Sequence, residues 1–374
     1  MNRVTLSYNG NDTIIHGSKI DPNAFIKGGE LKELVNTIPT FSFSIYPNNP
    51  GYNSIEDMLS NVSVTDFDST DNIFVGRAYS VADVMTKDGI IYKVVTCEGE
   101  LAYLRDVIIQ SYSVYAGTLL SSALTSLFNA YNAKAPSSKQ MTPSGGNTTG
   151  VTADYSASYK SAFDILKDLC DLCEWEYRVS YGDNTRYLEV SESFGSKSDT
   201  DIVLSDNLRA LQREVKANDI VTRFYPLGIV KDTGGYFTIA PANSGVSYLT
   251  NPGLASKYGT IEAAKVYDDI TIDSMSSVSS GAKKLKAKAQ KDYSNMVGTL
   301  TSFTLNALDL SLINGNYSSL KLYNTHRVVT KLQGIDEEVR ITGRTLKLDD
   351  PQNPALTFGI KRAMLTAMVA RGVR

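Results

Sequence analysis

Between Ile73 and Asp106 the chain reads IFVGRAYSVADVMTKDGIIYKVVTCEGELAYLRD, and this stretch restricts the fold more than any other. The run from Ile90 to Cys97 is rich in β-branched residues and suits a pleated, half-buried surface. The Asp88-Gly89 pair ahead of it offers the positive φ that a tight hairpin turn needs. After Cys97 the chain turns sharply at Gly99, within the run from Glu98 to Leu104. The stretch holds no histidine, no phosphate-binding glycine loop and a single thiol. It reads as a framework hairpin, not a catalytic constellation.

The same period of two recurs around it. Val4 to Tyr8 and Thr13 to His16 are strands joined by the Asn9-Gly10-Asn11-Asp12 turn. Thr40 to Tyr46 sets Phe41, Phe43 and Ile45 on one face and Ser42 and Ser44 on the other, the pattern of a strand with one dry side. Val62 to Val64 continues the β pattern, and residues 66–71 form an acidic turn. Glu30 to Val35 is expected as a short helical turn confined by Gly28-Gly29 and Pro39. Residues 1–110 are therefore expected to form one β-barrel-like domain.

The period then changes. Leu119, Leu120, Ala123, Leu124, Leu127 and Phe128 recur at helical spacing. Residues 136–150 are a loop on composition. A second helix spans Ser161 to Trp175, with Ser161 and Asp164 placed to cap its start. Strands Glu176 to Tyr181 and Arg186 to Ser191 follow, so residues 111–207 read as an inserted α+β domain. Residues 208–297 bring a β segment that Pro226 should end or mark as an edge, then a helix from Ser274 to Asn295 with Val278, Ala282, Leu285 and Ala289 in line. Residues 298–374 return to β character, notably Leu320 to Tyr323, His326 to Val329 and Val339 to Ile341, with a short helix expected over Ala363 to Val369. The fold class is α+β and β-rich: antiparallel β-barrel-like domains with inserted helical α+β blocks.

At 374 residues the chain exceeds what one core organises. A net charge of −3 gives no global case for nucleic-acid affinity. No secretory leader is visible, and no stretch reaches the roughly 20 apolar residues of a membrane span. The reading is a protein folded in a cytoplasm, and three cysteines without a regular framework fit that compartment. Against one tryptophan stand 22 tyrosines, which suit either strands or surfaces buried on assembly.

Candidate chemistry is sparse. Cys170-x-x-Cys173 lies on the apolar stripe of the second helix, and a zinc site would need nearly every cysteine and histidine in the chain, so core packing is the expectation. His16 and His326 belong to separate β segments and to no H-E-x-x-H pattern, and there is no G-x-S-x-G elbow or P-loop. Asp66, Asp68 and Asp71, or Asp268, Asp269 and Asp273, offer oxygens to calcium but lack the EF-hand glycine and glutamate, and read as solvated turns. Lys283, Lys284, Lys286, Lys288 and Lys291 crowd the third helix. They form either a solvated face or the lining of a channel that DNA traverses. No cofactor or metal is implied.

Four stretches carry a family resemblance: Gly76-Arg77 with Thr96 to Leu104; Phe41 to Pro50; Thr222 to Gly228; and Lys257-Tyr258-Gly259 with Tyr267-Asp268-Asp269 beyond. Taken along the chain, these stretches resemble the N-terminal hub domain of siphophage tail-tip proteins, the tail-associated lysin or prophage endopeptidase tail family, and are similar to the baseplate hub of contractile-tailed phages; the resemblance also implies that residues 1–110 are completed by later segments. The resemblance implies a homotrimer in the virion at the distal tail tip, assembled in the host cytoplasm. That trimer would dock on the distal tail protein hexamer, contact the tape-measure protein and receptor-binding proteins, close the tube, and open for transient passage of double-stranded DNA. Tyr46, Arg77, Tyr103 and Arg223 fall in the matching motifs and are the interface candidates. The β segment near Ile360 is followed closely by Arg374, leaving no room for a lysin domain, so no cell-wall hydrolysis is expected. The rival readings are a receptor- or carbohydrate-binding module of a tail, and an enzyme within the Ser158–Ser191 insertion.

Overall fold

The structure, a computed structural model, describes residues 2–358 apart from 66–71, 146–150, 174, 183–184, 205, 216, 299–300 and 316. The expected helix at Ala363 to Val369 and the turn carrying Asp66, Asp68 and Asp71 lie outside the described residues. The chain forms two compact units, the first comprising Met1–Leu211 and Leu305–Phe358 and the second comprising Gln212–Thr304.

The first unit opens on β1 (Arg3–Tyr8) and β2 (Asn11–His16). Asn9 and Gly10 between them have φ of 50° and 78°, the two left-handed positions of a tight hairpin turn. Five strands follow: β3 (Lys27–Leu34), β4 (Thr40–Ile45), β5 (Asn61–Thr65), β6 (Asn72–Met85) and β7 (Ile91–Gly99). A 3-10 helix, Glu100–Asp106, leads into an inserted block. That block holds β8 (Ile108–Leu119), α1 (Leu120–Asn132), β9 (Thr142–Gly145), β10 (Thr152–Ser161), α2 (Ala162–Cys173), β11 (Glu176–Gly182) and β12 (Thr185–Ser191). The chain then passes through β13 (Ile202–Val203) and leaves along β14 (Leu208–Val215).

The second unit holds β15 (Arg223–Val230), β16 (Tyr236–Thr238), β17 (Leu249–Thr250), α3 (Pro252–Tyr258), β18 (Glu262–Ile272) and α4 (Val278–Gly298). The chain returns along β19 (Thr301–Ala307) and completes the first unit with β20 (Thr325–Thr330), β21 (Ile335–Lys347) and β22 (Asp350–Phe358).

The main sheet is a curled, largely antiparallel half-barrel in the order β22-β21-β3-β4-β7-β6-β5-β1-β2, with β19 and β14 beyond β22 and β20 also bonded to β21. The β-rich α+β class read from the sequence is the class observed. Its inner face is the alternation made physical. Phe41, Phe43 and Ile45 of β4 are buried with Val4, Leu6, Val62, Val64, Val95 and Cys97, and Leu346 and Leu348 reach them from near the other end of the described chain. Each such large apolar side chain contributes about 1.5–3 kcal/mol by leaving water. A second core fills the inserted block, where α1 and α2 bury Leu124, Leu127, Phe128, Ile165, Leu166 and Leu169 with Tyr177 and Leu188. The Ser161 hydroxyl accepts the Asp164 N–H (3.1 Å) and donates to its carboxylate (2.7 Å), the cap expected for α2. In the second unit α4 lays Leu285 and Ala289 on Phe224, Phe237 and Tyr267.

Three expectations need correction. Glu30 to Val35 is not a helical turn, because Leu31 is buried and laddered on both sides, opposite Phe41 and Leu346. Leu320 to Tyr323 is not a strand: Asp309 captures the Leu320 N–H at 3.0 Å and Tyr323 has φ of 77°. Pro226 neither ends β15 nor lies at an edge. β15 is flanked by β18 throughout, and on its other side Pro226 falls in the gap between β17, opposite Arg223 and Phe224, and β16, opposite Leu227 to Ile229. The sequence reading also missed the long ribbon of β8 and β10, whose apolar residues are too sparse to show a period of two.

Candidate functional site

The sheet core and the inserted block meet at a buried network of charge. Arg77 on β6 stands opposite Glu98 on β7, and both are almost fully buried. The Arg77 guanidinium donates to Glu98 Oε1 from Nε (2.9 Å) and Nη2 (2.6 Å), and to both oxygens of Asp106 from Nη1 (2.5 Å) and Nη2 (2.8 Å). Burial works against its charge, but Asp106 and Glu98 outweigh burial and raise its pKa. Asp106 also accepts from Lys139 at 3.1 Å, and these donors overcome its own burial to hold the carboxyl below the usual range. The approach of the two strands depends on Gly76, since a Cβ there would lie 2.2 Å from the Glu98 carbonyl oxygen.

Next to this pair lies Tyr103, 3% exposed, its hydroxyl donating to Asn61 Oδ1 at 3.3 Å. Arg77, Lys139 and Arg186 each place a cation about 5 Å from its ring centroid, within the range of cation–π attraction. Arg186, from β12, donates to Glu100 through Nε (2.6 Å) and Nη2 (2.5 Å), and Tyr181 Oη donates to the same carboxylate at 2.7 Å. Burial, then the neighbouring Glu100, pushes the Tyr103 and Tyr181 hydroxyls up, so both stay neutral. Two further anchors tie the block to the sheet. Arg340 of β21 clasps Glu176 of β11 at 2.6 and 2.7 Å. Asn36, at φ of 57°, donates to the Trp175 carbonyl and accepts the Tyr177 N–H, each at 3.1 Å.

This arrangement is a mechanical joint. Every carboxylate in it is answered by a cation: Glu98 and Asp106 by Arg77, Glu100 by Arg186 and Glu176 by Arg340. Buried networks of this kind fix one geometry because a half-broken version leaves a charge without a partner. Sequence reasoning picked out Arg77 and Tyr103 as interface candidates through the family motifs, and within the first unit both are buried. It missed Glu100, Asp106, Tyr181, Arg186, Glu176 and Arg340. Glu98 and Arg77, charges within apolar strands, were the one local signal available.

The other candidates are scattered. Tyr46 is half-buried at the end of β4, its ring 5.5 Å from that of Tyr92. Arg223, half-exposed on the second unit, pairs with Glu262 at 3.3 Å and lies 5.1 Å from the Tyr248 ring. On α4, Lys283 and Lys284 are exposed, Lys286 donates to the Ala242 carbonyl at 3.0 Å, and Lys288 pairs with Asp269 at 2.5 Å. The Lys291 side chain lies outside the described residues. Asp273 answers Lys231 at 3.2 Å. Cys170 is buried in the α2 core and Cys173 packs beside it, while burial pushes the Cys97 thiol up. His16 and His326 are both buried, and burial pushes both below the usual imidazole range. Among the described residues no three His, Cys, Asp or Glu side chains are grouped to hold a metal, and no helix is long and apolar enough to cross a membrane.

Comparison with known proteins places this architecture. Residues 196–369, just under half of the chain, match the family described as prophage endopeptidase tail. The motifs at 222–228, 257–259 and 267–269 lie inside that match, and those at 41–50 and 76–104 lie outside it. No curated protein matches. Solved structures extend the likeness across the chain. The 43 kDa tail protein of prophage MuSo2 from Shewanella oneidensis is 13% identical, with a TM-score of 0.65 over 96% of this chain and 98% of that one. The tail protein from Neisseria meningitidis MC58 is 12% identical, with a TM-score of 0.62 over 96% and 97%. Prophage tail protein gp18 from Listeria monocytogenes EGD-e is 12% identical, with a TM-score of 0.59 over 99% and 98%. The fold of this chain is that of prophage tail proteins, and the resemblance read from the short motifs is to the same group.

Proposed function

We propose that this chain is a structural protein of a phage tail, a homotrimeric hub that closes the distal end of the tail tube and opens for DNA ejection. The observation that carries this reading is the likeness to three tail proteins over nearly their whole length and nearly the whole of this chain. The buried joint supports it, because a plug must transmit force without yielding, and cross-braced ion pairs make the sheet and the inserted block one body. The work is mechanical: association buries surface, and a later rearrangement opens a passage. The partners are the distal tail protein hexamer on one side and the tape-measure protein within the tube, with receptor-binding proteins nearby. Residues 1–110 with the returning segments of 298–374 would form the hub body, and 111–207 and 208–297 the additions to it.

In this reading the chain has no enzymatic activity, whatever the family description suggests. Two measurements test it. Light scattering on the purified chain should give three copies, and a stable monomer at tens of micromolar would defeat the hub. Incubation with Gram-positive cell walls should release nothing, and a glycan array should stay silent; a bound glycan would favour the receptor-binding module.

A further inference from the structure

Between β2 and β3 the chain runs as a strap, residues 17–26, with Gly17 at φ of 74° at one end and Lys27, laddered to Ser44, at the other. Its turns are its own: Ser18 Oγ accepts the N–H groups of Ile20 and Asp21, and the Asp21 carbonyl accepts that of Ala24. Two side chains hold the far end of the strap to the sheet. Asn49 donates from Nδ2 to the Phe25 carbonyl at 3.0 Å and to the Ile15 carbonyl at 2.8 Å. His16 Nδ1 accepts the Ile26 N–H at 3.3 Å. Ile26 is buried with Ile15 in the sheet core, while Ile20 stands exposed on the strap.

Of these two holds, a proton can undo the one made by His16. The ring is 2% exposed, and the lone pair that receives the Ile26 N–H is where a further proton adds, because Nε2 already carries one. The added proton sets N–H against N–H and leaves a buried amide without an acceptor, which folded interiors seldom tolerate. His326, the other of the chain's two histidines, responds differently. Its Nδ1 donates to the Thr200 carbonyl, and that bond survives protonation of Nε2. Burial opposes charge on the His16 ring; Asp349, exposed in the turn between β21 and β22, favours it, and the N-terminal amine works against it. Nearby on the chain, Arg3, Lys19 and Lys27 are exposed, and the Asp21 carboxylate accepts the Asn23 N–H at 2.8 Å. Among the described residues none accepts from His16 Nε2.

We propose that His16 is an acid-operated latch: protonation at Nδ1 breaks its bond to Ile26, and the strap opens between Gly17 and Lys27 while the sheet stays in place. One proton moves from solvent to Nδ1, and water takes over the Ile26 N–H. Lys27 keeps its register with Ser44, so the movement ends where β3 begins. The latch belongs to the first unit alone and is independent of what the chain assembles with. The enclosed ring resists a proton that the freed ring accepts below about pH 6.5. Each pH unit below that value therefore favours the open strap by up to about ten-fold. The strap is shut at neutral pH and released in acid, a switch built on one imidazole.

The test is amide exchange on the full chain at about pH 7.5 and about pH 4.5, corrected for the intrinsic rate at each pH, with residues 17–26 compared against β4. In acid the unaltered chain should lose up to about 100-fold of its protection over 17–26, while β4 keeps its own. His16→Asn offers an amide oxygen close to where Nδ1 stands and does not titrate, so its strap should stay protected at both pH values. Protection kept over 17–26 by the unaltered chain in acid, or lost equally from β4, overturns the latch. So does a folded His16→Asn chain whose strap opens as the parent's does. Should that variant fail to fold, the comparison of strap and β4 within the unaltered chain still decides.

Discussion

Arg77 and Glu98 face each other across the β6–β7 ladder, and the guanidinium closes two bonds on one carboxylate oxygen while its far side holds Asp106. The pair joins two neighbouring strands to the 3-10 helix that opens the inserted block. Removing only the cation strands the Glu98 carboxylate in the interior, while Asp106, nearer the surface, keeps Lys139 at 3.1 Å. Arg77→Met should therefore destabilise the first unit by about 3–5 kcal/mol. The double variant Arg77→Met, Glu98→Gln should recover part of that loss, because it also removes a stranded charge. Chemical denaturation followed by circular dichroism reads both, and a single-variant cost below about 1 kcal/mol would show that the network does not brace the fold.

Gly76 makes this pairing possible. With the Glu98 carbonyl oxygen 2.2 Å from where a Cβ would stand, Gly76→Ala must push β6 away from β7. The obstacle is backbone and cannot rotate aside. A loss of at least about 2 kcal/mol is expected, with faster amide exchange around residues 97–99. An alanine variant as stable as the parent would contradict the close approach.

Asn36 separates backbone geometry from hydrogen bonding. Its φ of 57° suits glycine, and its side chain bonds the Trp175 carbonyl and the Tyr177 N–H. Asn36→Gly should lose only the bonds, whereas Asn36→Ala loses them and also strains the backbone, costing about 1 kcal/mol more. Equal thermal midpoints for the two variants would refute this ordering.

Which of these features a sequence reveals depends on how far apart the partners lie. Phe41, Phe43 and Ile45 declare their strand because burial and period are local, and Ser161 with Asp164 declares a helix start for the same reason. Glu100 and Arg186 are 86 residues apart, and nothing near either announces the other. The reading of Glu30 to Val35 failed because Leu31 is fixed by β21, from the far end of the described chain. Pro226 misled for a related reason. Its missing N–H matters only where a neighbour asks for it, and the gap between β16 and β17 removes that demand.

The two histidines set a pH limit. His16 Nδ1 accepts the Ile26 N–H at 3.3 Å, so Nε2 carries the proton, while His326 Nδ1 lies 2.9 Å from the Thr200 carbonyl oxygen and must donate to it. Neither Nε2 has a partner among the described residues. Burial lowers both pKa values, so below about pH 6.5 the unfolded chain takes up protons that the folded chain refuses. Stability is complete above that pH and falls as acid is added, by at most about 1.4 kcal/mol per pH unit for each imidazole. Asp106, held low by its cations, adds a separate loss only below about pH 4. His16→Asn and His326→Asn should each flatten the slope between about pH 6.5 and 5. A slope unchanged in both would show that these rings are not the groups titrating.

The lysines of α4 allow the channel reading to be separated from a solvated surface. Lys286 is bonded to the Ala242 carbonyl and Lys288 to Asp269, so their ammonium groups already have partners, whereas Lys283 and Lys284 are exposed. If DNA passes this helix, the exposed pair are, among the lysines whose side chains are described, the ones free to release counterions on contact with phosphate. Lys283→Ala with Lys284→Ala should then lower the slope of log affinity against log salt by about 1.8 for duplex DNA of any sequence, at about 0.9 per phosphate contact. The same substitutions should change the ejection rate of particles that carry them, most strongly at low salt. Lys286→Ala should leave the salt slope alone and lower stability instead, because its amine is tied to backbone. Equal slopes for the double variant and the parent would mean that the exposed lysines are ordinary solvated charge and that the duplex, if it passes, passes elsewhere.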